Sequence, residues 1–170
     1  MARLLLIDND EKIVALVALL LRKLGHEVRT ASSFARGRAL LEEERPDLLL
    51  SDYELGAERA DEELPKLAIE GLLPPTLVVS GYLDDALIER LVAIPGVLGT
   101  LKKPFDLPTL QSGLARALEQ AERLRADRRE AADGHGSVDG GRDVGDGWEV
   151  IEPAHDPTDG GACAGDGGGT

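Results

Sequence analysis

Four residues with chemically useful side chains stand at the ends of short aliphatic runs. They are Asp8 after LLLI, Asp52 after LLLS, Ser80 after LVV and Lys103 after LGTLK. If these runs are parallel strands of one sheet, their carboxyl ends bring two carboxylates, a hydroxyl and an ammonium to the same edge. Such a set of groups suits Mg²⁺ binding and the acceptance of a phosphoryl group.

The charges of these groups suggest a role for each. A carboxylate such as Asp52 can act as a nucleophile and form an acyl phosphate. Asp8, Asp52 and a backbone carbonyl just past the third strand, that of Glu54, would supply oxygen ligands to Mg²⁺. Ser80 would donate a hydrogen bond to the phosphoryl group, and Lys103 would pair with it as a point charge. Asp52, Ser80 and Lys103 are therefore the candidate catalytic residues.

Each candidate also has a structural explanation. An Asp after a strand often caps the next helix, which applies to Asp8 and Asp10, and Asp52 could be an ordinary turn residue. Taken singly, Ser80 and Lys103 are more often a structural hydroxyl and a solvated surface lysine. Their joint occurrence favours a shared site, because four independent coincidences at four strand ends of one chain are rare.

The elements that must position these residues follow from hydrophobic patterning. Aliphatic runs predict five strands, at about 4–8, 26–31, 47–51, 76–80 and 97–101. Apolar spacing and cap signals predict helices at about 11–24, 33–44, 57–70, 85–93 and from 107 onward, and Pro65 fits only the first turn of its helix. We therefore predict an α/β fold, a doubly wound five-stranded parallel sheet flanked by five helices, flavodoxin-like.

Composition limits the class of protein. A chain of 170 residues with 42% hydrophobic content fits one domain with an ordinary core. The longest strongly apolar stretch, residues 13–21, is too short to span a bilayer and no signal peptide is visible, so we expect a cytoplasmic protein with no membrane partner. The single cysteine, Cys163, argues against disulfide or thiol chemistry.

The net charge of −13 is unevenly distributed. Nine acids and one base, Arg142, give −8 between Asp133 and Thr170. No basic patch of the kind that binds nucleic acid is visible, so no nucleic-acid partner is expected. We divide the chain into a domain at 1–125 and an acidic Gly/Asp-rich tail at 126–170, which we expect to be disordered. Trp148, Val150 and Ile151 in this tail are either incidental or a short docking motif.

Over about residues 2–122 the chain resembles a response-regulator receiver domain, the phosphoacceptor module of two-component signalling. The motifs that carry the resemblance are LLIDNDEKI, PDLLLSDYEL, LVVSGY and LKKPF. LKKPF is the most specific, because in this family the lysine precedes a proline, often across a cis peptide bond. The intervals between the four sites also fit the family.

The resemblance implies a Mg²⁺-dependent switch. A sensor histidine kinase, a phosphotransfer protein or a small acyl phosphate would phosphorylate Asp52, and Ser80 and Lys103 would move toward the phosphoryl group. The surface of the fourth helix, fifth strand and fifth helix would then change its contacts with an unknown downstream protein. Beyond self-phosphorylation from a donor and slow autodephosphorylation, no enzyme activity is implied. No output domain is recognisable, so we expect a stand-alone receiver.

Three features depart from the family pattern. The second of two adjacent acids is Asn9, which can still accept a metal or a water hydrogen bond but removes one negative charge, so Mg²⁺ is expected to bind more weakly unless Asp10 compensates. The switch aromatic three residues before the lysine is Thr100. After Leu55, GAERADEE replaces the usual proline and the later Asp-Gly turn, so the loop and third helix are expected to differ in shape.

Two other functions are compatible with the sequence. One is a receiver-like docking module that is no longer phosphorylated. The other is a haloacid-dehalogenase-type phosphatase, because Asp8-Asn9-Asp10 after a strand resembles the DxD opening of those enzymes, with Asp8 as the nucleophile. That interpretation leaves Asp52 without a role, and Asp84 and Asp85 precede Lys103 instead of following it.

Overall fold

The computed structural model of the chain describes residues 1–133. Five parallel strands form the main sheet, and two short strands form a separate antiparallel hairpin. The strands are β1 (Arg3–Ile7), β2 (Glu27–Ala31), β3 (Leu48–Asp52), β4 (Glu54–Leu55), β5 (Glu58–Arg59), β6 (Thr76–Ser80) and β7 (Val97–Lys102). The order in the main sheet is β2-β1-β3-β6-β7, with every pair parallel, which confirms the predicted doubly wound sheet.

Four helices connect the strands of the main sheet, and a fifth follows the last strand. They are α1 (Glu11–Lys23), α2 (Phe34–Glu43), α3 (Ala60–Ile69), α4 (Asp85–Val92) and α5 (Leu107–Asp133). Side chains cap three of them in the way that the sequence indicates: Asp10 accepts from the N–H groups of α1, Ser33 from α2 and Asp84 from α4. These caps start each helix one residue beyond a polar side chain and thereby set where the preceding loop ends.

The sheet separates two apolar cores. Helices α2, α3 and α4 pack on one face, where Leu49 points, and α1 and α5 pack on the other face, where Leu48 and Leu50 point. Because both faces are covered, β3 is a continuous apolar run and its three leucines are fully buried. The site at the end of β3 therefore follows a strand that is buried on both faces.

Two leucines lie off the buried faces of their helices. Leu16 of α1 is 58% exposed and Leu124 of α5 is 38% exposed. Ala18 and Ala121 are buried instead.

The segment before α3 also differs. Residues 54–59 form the β4–β5 hairpin around a turn with Gly56 at φ +70°, so α3 begins at Ala60 and not at residue 57. Pro65 is consequently the sixth helical residue, and the prediction that it fits only the first turn is wrong. Its missing N–H leaves the carbonyl of Asp61 without the usual intrahelical bond.

Helix α5 continues to Asp133, beyond residue 125 where the sequence suggested a domain boundary. The predicted disorder of the tail and the Trp148 motif fall within residues 134–170, outside the described residues. Among residues 1–133, no helix combines the length and the apolar character needed to cross a bilayer.

Candidate functional site

Three of the four predicted side chains meet at the carboxyl edge of the main sheet. Lys103 Nζ lies 2.7 Å from Asp8 Oδ2 and 3.2 Å from Asp52 Oδ2. Asp8 follows β1 and Asp52 ends the neighbouring β3, whereas Lys103 follows β7 on the far side of β6. The lysine side chain therefore reaches across β6, and one ammonium bridges two carboxylates.

Asp8 is held by contacts to both carboxylate oxygens. Its side chain is 2% exposed; Oδ2 contacts Lys103, and Oδ1 accepts a hydrogen bond from the Asp10 N–H at 2.8 Å. Asp8 is not the cap of α1, because that role belongs to Asp10, which accepts from the N–H groups of Lys12 and Ile13. The helix-cap explanation thus applies to Asp10 and leaves the Asp8 carboxylate for the site.

Asp52 is half-buried beside a like charge. Its side chain is 14% exposed, and Oδ1 accepts a hydrogen bond from the Tyr53 N–H at 2.8 Å. Burial raises the pKa of the Asp52 carboxyl above its usual value; the Lys103 ammonium opposes this shift and the Asp8 carboxylate adds to it. Lys103 therefore does not fully offset the cost of burying the charged Asp52 carboxylate, and an additional cation at this edge would stabilise that charge.

Ser80 lies on the same edge, but its hydroxyl closes a turn of its own segment. Ser80 Oγ donates to the Tyr82 carbonyl at 2.7 Å and accepts from the Tyr82 N–H at 3.1 Å. The backbone connects it to the site instead, since the Lys103 N–H donates to the Ser80 carbonyl at 2.7 Å. The Ser80 hydroxyl would have to leave Tyr82 in order to reach a group bound at Asp52.

The remaining predicted ligands are neighbours of this pair of carboxylates in sequence. Asn9 is exposed next to Asp8, and Glu54 lies two residues beyond Asp52 in the hairpin, in register with Arg59. Within residues 1–133, no group of three or more His, Cys, Asp or Glu side chains is placed to hold a metal. Asp10 uses its Oδ1 to cap α1.

Sequence reasoning missed a polar group behind the site. Asp61 of α3 forms a 3.1 Å ion pair with Arg90 of α4, and its Oδ1 is buried without a hydrogen-bond partner among the described residues. Burial, together with the nearby Asp61 carboxylate, raises the pKa of the Tyr53 phenol. The acidic start of α3 gave no sign of this contact, because it depends on how α3 and α4 pack.

The segment after β7 completes the site and matches the most specific of the sequence motifs. The Lys103–Pro104 peptide bond is cis, and Phe105 lies with Ile13 and Val17 around the apolar floor beneath the two carboxylates. The sequence profile of the response regulator receiver domain matches residues 4–115. This chain belongs to that family.

The curated relatives of this receiver domain are longer proteins, and the chain matches one part of each. The transcriptional regulatory protein GlrR of Escherichia coli is 34% identical over 123 residues, which cover 71% of this chain and 27% of GlrR. The DNA-binding transcriptional regulator NtrC of Azospirillum brasilense is 30% identical over 118 residues, which cover 69% of this chain and 24% of NtrC. The chain thus spans about a quarter of the length of these relatives.

Solved structures confirm the fold. The chemotaxis protein CheY4 of Vibrio cholerae superposes with a TM-score of 0.64 at 25% identity, covering 69% of this chain and 98% of CheY4. NtrX of Brucella abortus gives a TM-score of 0.64 at 28% identity, covering 78% of this chain and 29% of NtrX. Membership of the receiver family leaves no support for the phosphatase alternative based on Asp8, and Asp10, the second acid of its motif, is the cap of α1.

Proposed function

We propose that this receiver domain is a phosphoacceptor switch and that Asp52 is the residue that carries the phosphoryl group. The observation that supports this most directly is the Lys103 ammonium held between the Asp8 and Asp52 carboxylates at a sheet edge. An ordinary turn aspartate would not need a lysine from two strands away. The raised pKa of Asp52 has the same physical origin, since burial leaves its charge incompletely balanced.

The proposed transfer step is a nucleophilic displacement at phosphorus by Asp52. A carboxylate oxygen of Asp52 attacks phosphorus while the bond from phosphorus to the donor breaks. With a phosphohistidine donor the nitrogen leaves with the bonding electron pair and takes up a proton from solvent; with a small acyl phosphate a carboxylate leaves. The product is an acyl phosphate on Asp52, and Lys103, whose Nζ lies 3.2 Å from Asp52 Oδ2, would pair with the transferred oxygens.

The residues at this edge fit Mg²⁺. Proteins commonly hold this ion by one or two carboxylates, with water and phosphate oxygens filling the octahedral shell, so two acids suffice. Asp8 and Asp52 would hold it, with the Asn9 side-chain oxygen and the Glu54 carbonyl as further ligands. When bound, Mg²⁺ would spread the negative charge of the phosphoryl oxygens. Asn9 carries no charge, so we propose that the ion binds more weakly here than at a site with three acids.

Switching would require two side chains to change partners. Lys103 would turn from the carboxylate pair toward the phosphoryl group, and Ser80 would exchange its hydrogen bonds to Tyr82 for one to a phosphoryl oxygen. Because Ser80 and Lys103 end β6 and follow β7, their movement would reshape the surface that α4, β7 and α5 share. We propose a sensor kinase or phosphotransfer protein as the donor and a protein that contacts this surface as the target.

The test is the intact mass of the full chain after incubation with Mg²⁺ and a small acyl phosphate. We expect the wild type to gain one phosphoryl group and Asp52→Asn to gain none. Asp85→Asn, which removes an exposed carboxylate at the start of α4, should behave as the wild type does. A wild type that gains no mass from acyl phosphate or from a kinase would instead indicate a docking module that is not phosphorylated.

A further inference from the structure

A groove of about 540 Å³ lies at the opposite, amino-terminal edge of the main sheet. It is bounded by the segments that lead into β1, β3, β6 and β7 and by the last part of α5. Five of the 19 lysines and arginines of the chain line it: Arg3, Arg45, Arg125, Arg128 and Arg129. Arg125, Arg128 and Arg129 lie close together in sequence, and the fold adds the distant Arg3 and Arg45 to them.

One acid in the groove neutralises one of these arginines. Asp47 is the sole acidic residue among those that line it, and Asp47 Oδ1 pairs with Arg125 Nη1 at 2.5 Å. Asp47 Oδ2 accepts a hydrogen bond from the backbone N–H of Arg3 at 2.7 Å. Burial would raise the pKa of Asp47, but these contacts outweigh it and the pKa is lowered. Asp47 therefore stays charged and remains engaged.

The other four guanidinium groups keep their charge available. Within residues 1–133, Arg3, Arg45, Arg128 and Arg129 form no ion pair with a carboxylate, whereas Arg29, Arg38 and Arg123 elsewhere on the surface do. A guanidinium is planar and offers several donors that match a carboxylate. The groove thus concentrates positive charge in a chain whose net charge is −13.

The groove is also lined by apolar residues. They are Leu72, Leu73, Pro74, Pro75 and Pro95, of which the first four are half-buried or buried. A ligand that fits both kinds of lining residue carries negative charges and aliphatic groups. An extended peptide presents this pattern when acidic and aliphatic side chains alternate.

We infer that this groove binds an acidic peptide segment of a partner protein. The carboxylates of such a peptide would complement the charge of the four available arginines. Its aliphatic side chains would contact the leucines and prolines that line the groove. A nucleic acid fits less well, because its charge extends beyond the groove over the rest of a strongly acidic chain. The binding surface lies at the other end of the strands from Asp52, so it goes beyond the phosphoacceptor role.

The test is fluorescence anisotropy of a labelled peptide of five Glu-Leu repeats, titrated with the full chain at low salt. We expect this peptide to bind the wild type saturably and the matching peptide of Gln-Leu repeats not to bind. Arg128→Glu and Arg45→Glu should each weaken binding about tenfold or more, since each replaces a charge-assisted contact by a repulsion. Arg116→Glu, an exposed arginine of the same helix outside the groove, should change affinity less than about twofold.

Four results would overturn the inference. The first two are that the peptide does not bind the wild type, or that Arg116→Glu weakens its binding as much as Arg128→Glu does. The third is that a single-stranded oligonucleotide of the same charge binds more tightly than the peptide, and the fourth is that Arg128→Glu shifts the Trp148 emission relative to the wild type when no peptide is present. The last would indicate that the groove is occupied by the chain's own residues, since Trp148 is its only tryptophan. Melting temperatures that match the wild type would show that the variants are folded, and Arg45→Glu provides a variant outside α5.

Discussion

Lys103 is the residue on which the charge balance of the site depends. It is 18% exposed and lies between carboxylates that are 2% and 14% exposed. Two buried carboxylates without a cation would repel each other strongly, because water is largely excluded from screening them. The ion pair is therefore a condition for both acids to stay charged.

Replacing Lys103 should destabilise the domain. We expect Lys103→Met to lower the free energy of unfolding by about 3 kcal/mol, because it leaves two buried carboxylates uncompensated. Lys102→Met, which removes the exposed neighbouring lysine, should change it by less than about 1 kcal/mol. Urea denaturation of the two variants measures the difference, and equal effects would show that the ion pair contributes nothing.

Removing the Asp52 charge should have the opposite effect on stability. Because burial raises the pKa of Asp52, the folded chain binds a proton more readily than the unfolded chain. The cost of the charged carboxylate is thus present above the folded pKa and disappears as the pH falls below it. We expect Asp52→Asn to raise the melting temperature at neutral pH by about 2–4 °C, roughly 1 kcal/mol for a chain of this size, with the gain shrinking toward acid.

The matched control for this effect is Asp85→Asn. That exposed carboxylate lies in the first turn of α4, where its negative charge interacts favourably with the helix dipole. Its removal should therefore lower the melting temperature slightly. A melting temperature of Asp52→Asn that is lower than wild type at neutral pH would mean that the contacts with Lys103 and Tyr53 outweigh the burial of the charge.

At the residue scale the sequence predicted position better than orientation. Asp8, Asp52 and Lys103 lie at strand ends, and parallel strands bring such ends together, so their proximity follows from the fold. The hydrogen bonds of Ser80 to Tyr82 depend on the local turn, and the contact of Asp61 with Arg90 depends on the packing of two helices. Neither leaves a periodic signal. The chemical roles of the site residues stay predictions.

Among the elements, α3 and the hairpin before it differ most from expectation. The β4–β5 hairpin consists of two residue pairs around a two-residue turn, too short for an alternating pattern to reveal it. It takes up residues 54–59, and α3 therefore starts late, with Pro65 in the second turn. A proline there removes one backbone hydrogen bond and crowds the carbonyl four residues earlier.

Replacing Pro65 should therefore stabilise α3. We expect Pro65→Ala to raise the free energy of unfolding by about 1–2 kcal/mol, the recovered helical bond being partly offset by a more flexible unfolded chain. Pro108→Ala is the control, because Pro108 lies in the first turn of α5, where proline is tolerated. Urea midpoints with unchanged slopes measure both, and a loss of stability in Pro65→Ala would show that the proline ring packs favourably.

For the whole molecule, the sheet joins two cores into one cooperative unit. Leu49 and Leu50 are both fully buried but point to opposite faces, toward the α2–α4 helices and toward α1 and α5. We expect Leu49→Ala and Leu50→Ala each to cost about 2–5 kcal/mol in a single transition, because β3 belongs to both cores. Circular dichroism and urea titration test this, and a second transition in either variant would show that the cores unfold separately.

The overall architecture was predictable because continuous apolar strands and amphipathic helices alternate with clear caps. What sequence could not show is how distant residues converge at the amino-terminal edge of the sheet. Arg3, Arg45 and Arg128 are far apart along the chain, and only the fold places them around one groove. The molecule thus has two charged edges, an acidic one at the carboxyl ends of the strands and a basic one at the amino ends.

The central proposal, phosphoryl transfer to Asp52, is tested most directly by locating the acyl phosphate. After incubation with Mg²⁺ and a small acyl phosphate, borohydride reduction converts a phosphorylated aspartate to homoserine, which peptide mass spectrometry can place in the sequence. We predict homoserine at position 52 and at no other position. Homoserine at position 8, or at no position despite added phosphoryl mass, would contradict the assignment.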